Sequence, residues 1–419
     1  MLNPRYCLSL PLLLAAFGAQ AQTTVAQITV QTGGYDRYNS PVRYEIGSPG
    51  LSDTSGLVLY QLEGKVRRAV PARLQARPAA VEWQLNGHVK AGVTLHYELV
   101  REKGAAVPPA RDNVTVAKDD SAVTVLAGNK PVLRYYHAVV PPPPGADPAF
   151  ERSGFIHPAW TPGGKVLTNI HPKDHYHHFG IWNPWTDTQF EGDTVDFWNL
   201  KKRSGTVRFK QFYATDGGFR ALQEHVAFKK DGKEKVAMNE VLDVAVYASD
   251  GETFMWDFTS ILRCAGPSPI TLNKYRYGGG FAIRGNAAWN NENSAVLTSE
   301  GKTRKNADST HARWIKIAGN LDNGMAGLLI LSAPDNFRAP QPVRVWPEKD
   351  QQGQVFAMFS PTKDYSWTLE PGKTYTQRYR IITFDEDPTP AQAEAYWNDF
   401  AHPVQVSSKR NQKNGSPGR

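Results

Sequence analysis

The sequence is short of cysteine, of long apolar runs and of helical periodicity. It contains two cysteines, Cys7 and Cys264, among 419 residues. Cys7 falls in a stretch read below as a removed leader. Cys264 is then alone, and no internal disulfide is expected. A chain of this length buries enough surface to do without one. Cys264 ends the run FTSILRC, which has the pattern of a buried strand, so a nucleophilic role is not expected.

The apolar run Leu8 to Phe17 is too short to cross a bilayer, and no later run approaches the necessary length. With Arg5 before it and Ala19-Gln20-Ala21 after it, the run reads as a secretory signal peptide over 1–21, cut before Gln22. No Cys follows the small residues, which argues against a lipoprotein. The expected location is periplasmic or secreted.

Nor is there a long basic stripe. The formal charge is +8, and four of the basic residues sit in the tail SSKRNQKNGSPGR, which has no acidic residue. Residues 406–419 are expected to be a disordered basic tail. Nucleic acid is therefore not an expected partner. No internal repeat is visible.

What the chain does have is period-two apolar alternation over most of its length. Val25 to Val30, Val42 to Ile46, Leu57 to Leu62, Val93 to Val100, Val123 to Leu126 and Val132 to His137 read as strands. Four longer ones follow, Thr206 to Tyr213, Phe219 to Phe228, Lys235 to Tyr247 and Thr253 to Cys264, with Gly-containing turns between them. Six more are expected between Gly278 and Thr383. The only helix expected starts at Pro388-Thr389-Pro390 and runs through AQAEAYWNDF to Phe400. This pattern implies an all-β fold, a large two-sheet antiparallel sandwich with one C-terminal helix. The long meander favours the galactose-mutarotase-like supersandwich. One domain over 22–405 is expected. The Pro-rich stretch 139–148, which no central strand can contain, is read as a surface crossover and a possible subdivision.

Chemistry-bearing residues concentrate in HPAWTPGGKVLTNIHPKDHYHHFGIWNPWTDTQFEGDTVDFW, residues 157–198. Five of the chain's 11 histidines and four of its 11 tryptophans lie there. Imidazole is the side chain best matched to proton transfer or metal binding near neutral pH. If His175-Tyr176-His177-His178 is a strand, His175 and His177 share one face and His178 takes the other. A His-x-His pair can grip a divalent metal with a carboxylate such as Asp174 or Asp196. The cupin pattern would need a Glu just downstream, where Gly180 to Asn183 stand instead. Plain acid–base use ranks above a metal. For any single histidine, a buried and hydrogen-bonded role is as good a reading.

Trp182 and Trp185 flank Asn183-Pro184, so at least one indole is expected to be exposed and to stack on sugar; the plainer alternative is core packing. Asp196, between aromatic residues, is a candidate general acid. A turn cap is the plainer reading, and it suits Asp193 better. Downstream, Tyr275-Arg276-Tyr277-Gly278-Gly279-Gly280 leads to Arg284. Arg276 and Arg284 are suited to a substrate carboxylate or hydroxyls, or else to an outward face beside a bulge. The loop Ala333 to Pro340 offers Asn336 and Arg338, or is simply solvated.

FIHPAWTPGG, DHYHHFGIWNPW with VDFW after it, GGGFAIRG and APDNFRAP occur in the order in which they stand in a family of exported bacterial proteins. The chain resembles that family, called "methane oxygenase PmoA-like", from about Gly154 to Pro347. Tyr176 and Phe179 replace the Pro and Arg of its usual Asp-His-Pro-His-His-Arg-Gly. The resemblance implies roles for His157, Asp174, His175, His177, His178, Asp196, Arg284, Asn336 and Arg338. It also implies the company of polysaccharide-degrading proteins. The oxygenase of the family's name is a multi-span membrane protein, and no span follows the leader here. The expectation is an exported enzyme that cleaves or isomerises a glycoside by His/Asp acid–base chemistry. The alternatives are a non-catalytic carbohydrate-binding protein and a metal-dependent oxygenase.

Overall fold

A computed structural model describes residues 23–46, 55–76, 79–102, 114–247 and 251–409. The expected signal peptide lies outside them. Among the described residues the fold is an all-β antiparallel sandwich with one α-helix, Pro390–Ala401. The four long strands appear as Gly205–Thr215, Gly218–Phe228, Glu234–Val246 and Thr253–Cys264, each pairing with the next. Tyr375–Phe384, Gly324–Ser332, Trp314–Leu321 and Ser294–Thr298 extend them to an eight-stranded sheet. A second eight-stranded sheet contains Lys130–Tyr136, Phe155–Ala159, Ile181–Trp182, Phe281–Arg284 and Phe356–Phe359 as successive neighbours.

The alternation seen in the sequence decides which residues meet. Phe254, Trp256, Leu328, Ile330 and Ile381 face the second sheet and close a core with Val123, Tyr135, Ile156, Ile181 and Ile283. Their neighbours Met255, Leu329, Leu331 and Ile382 point the other way, under Ala393, Tyr396 and Phe400 of the helix. The helix starts as the sequence predicts: Thr389 accepts from the Gln392 N–H, and Gln392 returns the bond to the Thr389 N–H.

Three expectations about organisation are corrected. The early strands do not extend the large sandwich. Thr23–Gln31, Leu57–Glu63, Val66–Val70 and Thr94–Arg101 form one small sheet, and Arg37–Glu45, Arg73–Ala76 and Ala79–Val89 another. Ile28, Val30, Val42, Trp83 and Leu99 make a separate core between them. The change of core thus comes before Val114 and not at 139–148. The Pro-rich stretch leaves the strand Lys130–Tyr136 and returns to its partner Phe155–Ala159 in the same sheet. It is an excursion within one sheet. Finally, the tail expected over 406–419 is ordered at its start, because Gln405–Lys409 pairs antiparallel with Thr23–Gln31.

Candidate functional site

The histidine segment is not a strand. The isolated bridge Ile170↔Phe179 and the His171 N–H donating to the His178 carbonyl (2.9 Å) close the neck of a loop. Inside it, the His175 N–H donates to Pro172 O (2.9 Å) and the His178 N–H to His175 O (3.0 Å). These are two consecutive turns. They bring together the rings a strand would have split between faces. Centroids of His175 and His177 are 5.4 Å apart, His175 and His178 4.8 Å, and His177 and His178 5.0 Å. The loop passes close to the sheet at Gly180, where φ is +64° and a Cβ would stand 2.3 Å from Ile156 O, so only glycine fits there.

His175 is oriented by a carboxylate. Its Nδ1–H donates to Asp174 Oδ2 (2.9 Å), which leaves Nε2 of the neutral ring as an acceptor. Arg284 holds Asp174 in turn, its Nη2 donating to both carboxylate oxygens (3.0 Å each) and to Gln354 Oε1 (2.8 Å). Burial opposes charge on Asp174, but the His175 bond and the Arg284 charge outweigh it and keep the carboxyl below its usual range. Arg284 is fully buried, with its guanidinium 4.9 Å above the Trp346 ring. The outward-facing alternative is excluded. The strand Phe281–Arg284, paired with Ile181–Trp182, fixes its position.

Burial keeps two of the three imidazoles neutral. His177 is pushed down to about 4, first by desolvation and then by the neighbouring His175. His178 is pushed well below the usual histidine range by desolvation, then by His177 and Arg284. It lies among the rings of Trp182, Trp198, Trp346 and Phe356, with centroids 5.0–5.6 Å away.

His175, His177 and His178 share a cavity of about 190 Å³ with Thr186, Asp196, Trp198, Asn199, Lys202, Tyr275, Arg276 and Tyr277. Asp196 does not have the surroundings of a general acid. Its Oδ1 accepts from the Trp198 and Asn199 backbone N–H groups (3.0 and 2.7 Å). Its Oδ2 accepts from Thr186 Oγ1 (2.7 Å) and Lys202 Nζ (2.8 Å). It is the turn cap, and it holds Lys202 at the cavity. Asp193, expected to cap, pairs with Lys229 and Lys230 instead.

The expected sugar-stacking indoles are corrected as well. Trp182 is 0% and Trp185 1% exposed. Trp182 walls in His178. Trp185 lies against Gly279 (φ +68°), where a Cβ would meet its ring at 1.9 Å. The close approach that the glycine run permits is thus made by Trp185, and it seats Tyr275 to Tyr277 at the cavity. Three further predicted residues lie apart from the cavity. His157 hydrogen-bonds Thr168 Oγ1 through Nδ1 (2.8 Å) and is lowered to about 4 by burial. Asn336 is a buried clip that accepts from the Arg378 N–H (2.7 Å) and donates to Arg378 O (2.9 Å). Arg338 is exposed and rests on the Tyr365 ring, 4.4 Å from its centroid.

His175 and His177, the expected metal pair, are adjacent. Among the described residues, however, no group of three His, Cys, Asp or Glu side chains is arranged to hold a metal ion. Sequence reasoning missed Lys202, Trp346 and Gln354. Only Lys202 had a signal, its closeness to Asp196.

A family model described as a family of unknown function (DUF6807) matches residues 122–398. No curated protein matches the chain. Among solved structures, a glycosyl hydrolase family 38 protein from Enterococcus faecalis matches with a TM-score of 0.47 at 9% identity, covering 93% of this chain and 48% of that one. An alpha-mannosidase from Enterococcus faecalis V583 matches at 0.40 and 10% identity, covering 93% and 46%. The chain thus spans about half the length of these structures, and the likeness is too distant to carry an activity across.

Proposed function

The chain belongs to the DUF6807 family of unknown function, so its chemistry has to be read from its site. We propose that it is an exported carbohydrate-active enzyme that cleaves or isomerises a glycoside by proton transfer at His175. One observation carries this reading: a histidine with its Nδ1 proton fixed on a clamped carboxylate stands at a cavity beside two neutral imidazoles. Such a ring takes a proton at Nε2 from a sugar O–H or C–H, and Asp174 stabilises the imidazolium that forms. Because burial holds His177 and His178 neutral, they do not repel that charge. Tyr275, Tyr277 and Lys202 supply donors for sugar hydroxyls. At about 190 Å³, the cavity is below the roughly 300–1,000 Å³ of sites for drug-sized ligands. It suits one sugar ring at the end of a glycoside. The signal-like residues 1–21 support export.

The test is a panel of glycosides and oligosaccharides with product masses read out, run on wild type and Asp174→Asn. The wild type should release a product differing from its substrate by water or by no mass at all. Asp174→Asn should be slower by about 10²–10⁴-fold, the usual share of an acid–base group. Glycan binding without turnover would mark a binding protein, and a gain of oxygen an oxygenase. Either result removes the proposal.

A further inference from the structure

One cation at this cavity lacks the carboxylate partner that its neighbours have. Lys202 is paired with Asp196 (2.8 Å) and Arg284 with Asp174 (3.0 Å). One step behind the wall, Arg344 and Lys363 share Asp308, at 2.7 and 3.0 Å. Arg276 lines the cavity, and among the described residues it has no ion pair and no hydrogen bond. Its only contact of note is the Tyr277 ring, 5.1 Å from its Cζ. Arg344 lies 5.2 Å from the same ring and donates to the Tyr277 hydroxyl (3.4 Å). Of these five cations, Arg276 alone has no carboxylate partner among the described residues. His177 and His178, held neutral by burial, add no charge beside it.

Donors are also left over in the buried shell. Among the described residues, Arg284 Nε and Nη1 and Arg344 Nε have no hydrogen-bond partner, although little or no solvent reaches them. An unpaired guanidinium beside low-dielectric aromatic walls attracts an anion and rejects a cation. The free group is a guanidinium, a planar fork that matches a carboxylate in two parallel hydrogen bonds. It stands at the rim, where it stays hydrated until a ligand covers it.

We propose that the sugar taken by this cavity carries a carboxylate, and that Arg276 is the residue that selects it. The substrate class is then a terminal uronic acid residue. The proposal rests on the reading of the cavity as a sugar site and adds to it the charge of the sugar. Lys202, held by Asp196, lines the same cavity as a second, weaker attraction.

The test is calorimetric titration of the full chain with D-glucuronate, D-galacturonate, glucose, galactose and galactose 6-sulfate, on wild type and on Arg276→Gln. Arg276 is exposed, and thermal melts of the variant should match wild type. A charge-assisted pair should favour a uronate over its neutral sugar by on the order of ten- to a hundredfold. Arg276→Gln should abolish most of that preference. Tighter binding of glucose or galactose, stronger preference for the sulfate, or an undiminished uronate preference in Arg276→Gln would each overturn the proposal and leave the sugar site standing. Binding of none of the five would remove the sugar site as well.

Discussion

Three imidazoles close together would repel one another if charged, and the protein avoids this by drying two of them. His177 lies near 4 and His178 well below the histidine norm, while His157, outside the cavity, also lies near 4. A histidine whose folded value is depressed binds more protons unfolded than folded in the window between the two values. Their contribution to stability is therefore constant above about pH 6.5 and falls as the pH drops towards 4. At about 1.4 kcal/mol per pH unit for each group, His157 and His177 together should remove several kcal/mol by pH 4.5. Denaturant unfolding at pH 7.5 and pH 4.5 measures this, and equal stabilities would show that these rings are hydrated. The tryptophans belong to the same physics. Sequence spacing put Trp182 and Trp185 at the site as sugar-stacking rings, at least one of them exposed, and the structure buries both. An indole next to Asn-Pro looks exposed when covering partners such as Phe356 and Gly279 are far along the chain and invisible to local reasoning.

At the scale of elements, the site is a turn-rich loop set against a glycine-relieved strand. A period of two predicts where side chains point only if the segment is extended. In 172–178 the chain turns twice instead, and Pro172 and Asp174 were the available signs. The glycine run was legible as a place of close approach, and the structure shows which ring approaches. Gly279 faces the Trp185 ring with positive φ. Gly279→Ala should therefore cost about 2–5 kcal/mol, combining the left-handed backbone penalty with overpacking. It should also displace Tyr275 to Tyr277 from the cavity. Chemical denaturation reads the first effect. A loss under about 1 kcal/mol would mean that Trp185 moves aside freely.

At the scale of the whole molecule, the all-β class and the closing helix were legible because alternation and the capping box are local. The division into two cores was not. Alternation marks a strand but not the sheet it joins, and here the last strand of the described residues pairs with their first. The two parts are tied by ion pairs that no local pattern announces. Asp399 of the helix accepts from Arg37 Nη1 (3.0 Å) and Ser40 Oγ (2.5 Å) on the small sandwich and lies 3.9 Å from Arg380 of the large sheet. Arg37 is 2% exposed, and removing its carboxylate leaves a buried charge unmatched. Asp399→Ala should cost about 3–5 kcal/mol, and unfolding of residues 23–101 should separate from that of the main sandwich. A single unshifted transition would contradict this.

The central claim concerns one proton acceptor, and its most direct test is chemical rescue. With a turned-over glycoside in hand, His175→Gly should lose at least about a hundredfold in rate, keep its far-ultraviolet dichroism, and recover part of the activity when free imidazole is added. Turnover in His175→Gly at the wild-type rate, or a loss that imidazole leaves untouched while smaller variants at Asp174 remain fully active, would contradict the account.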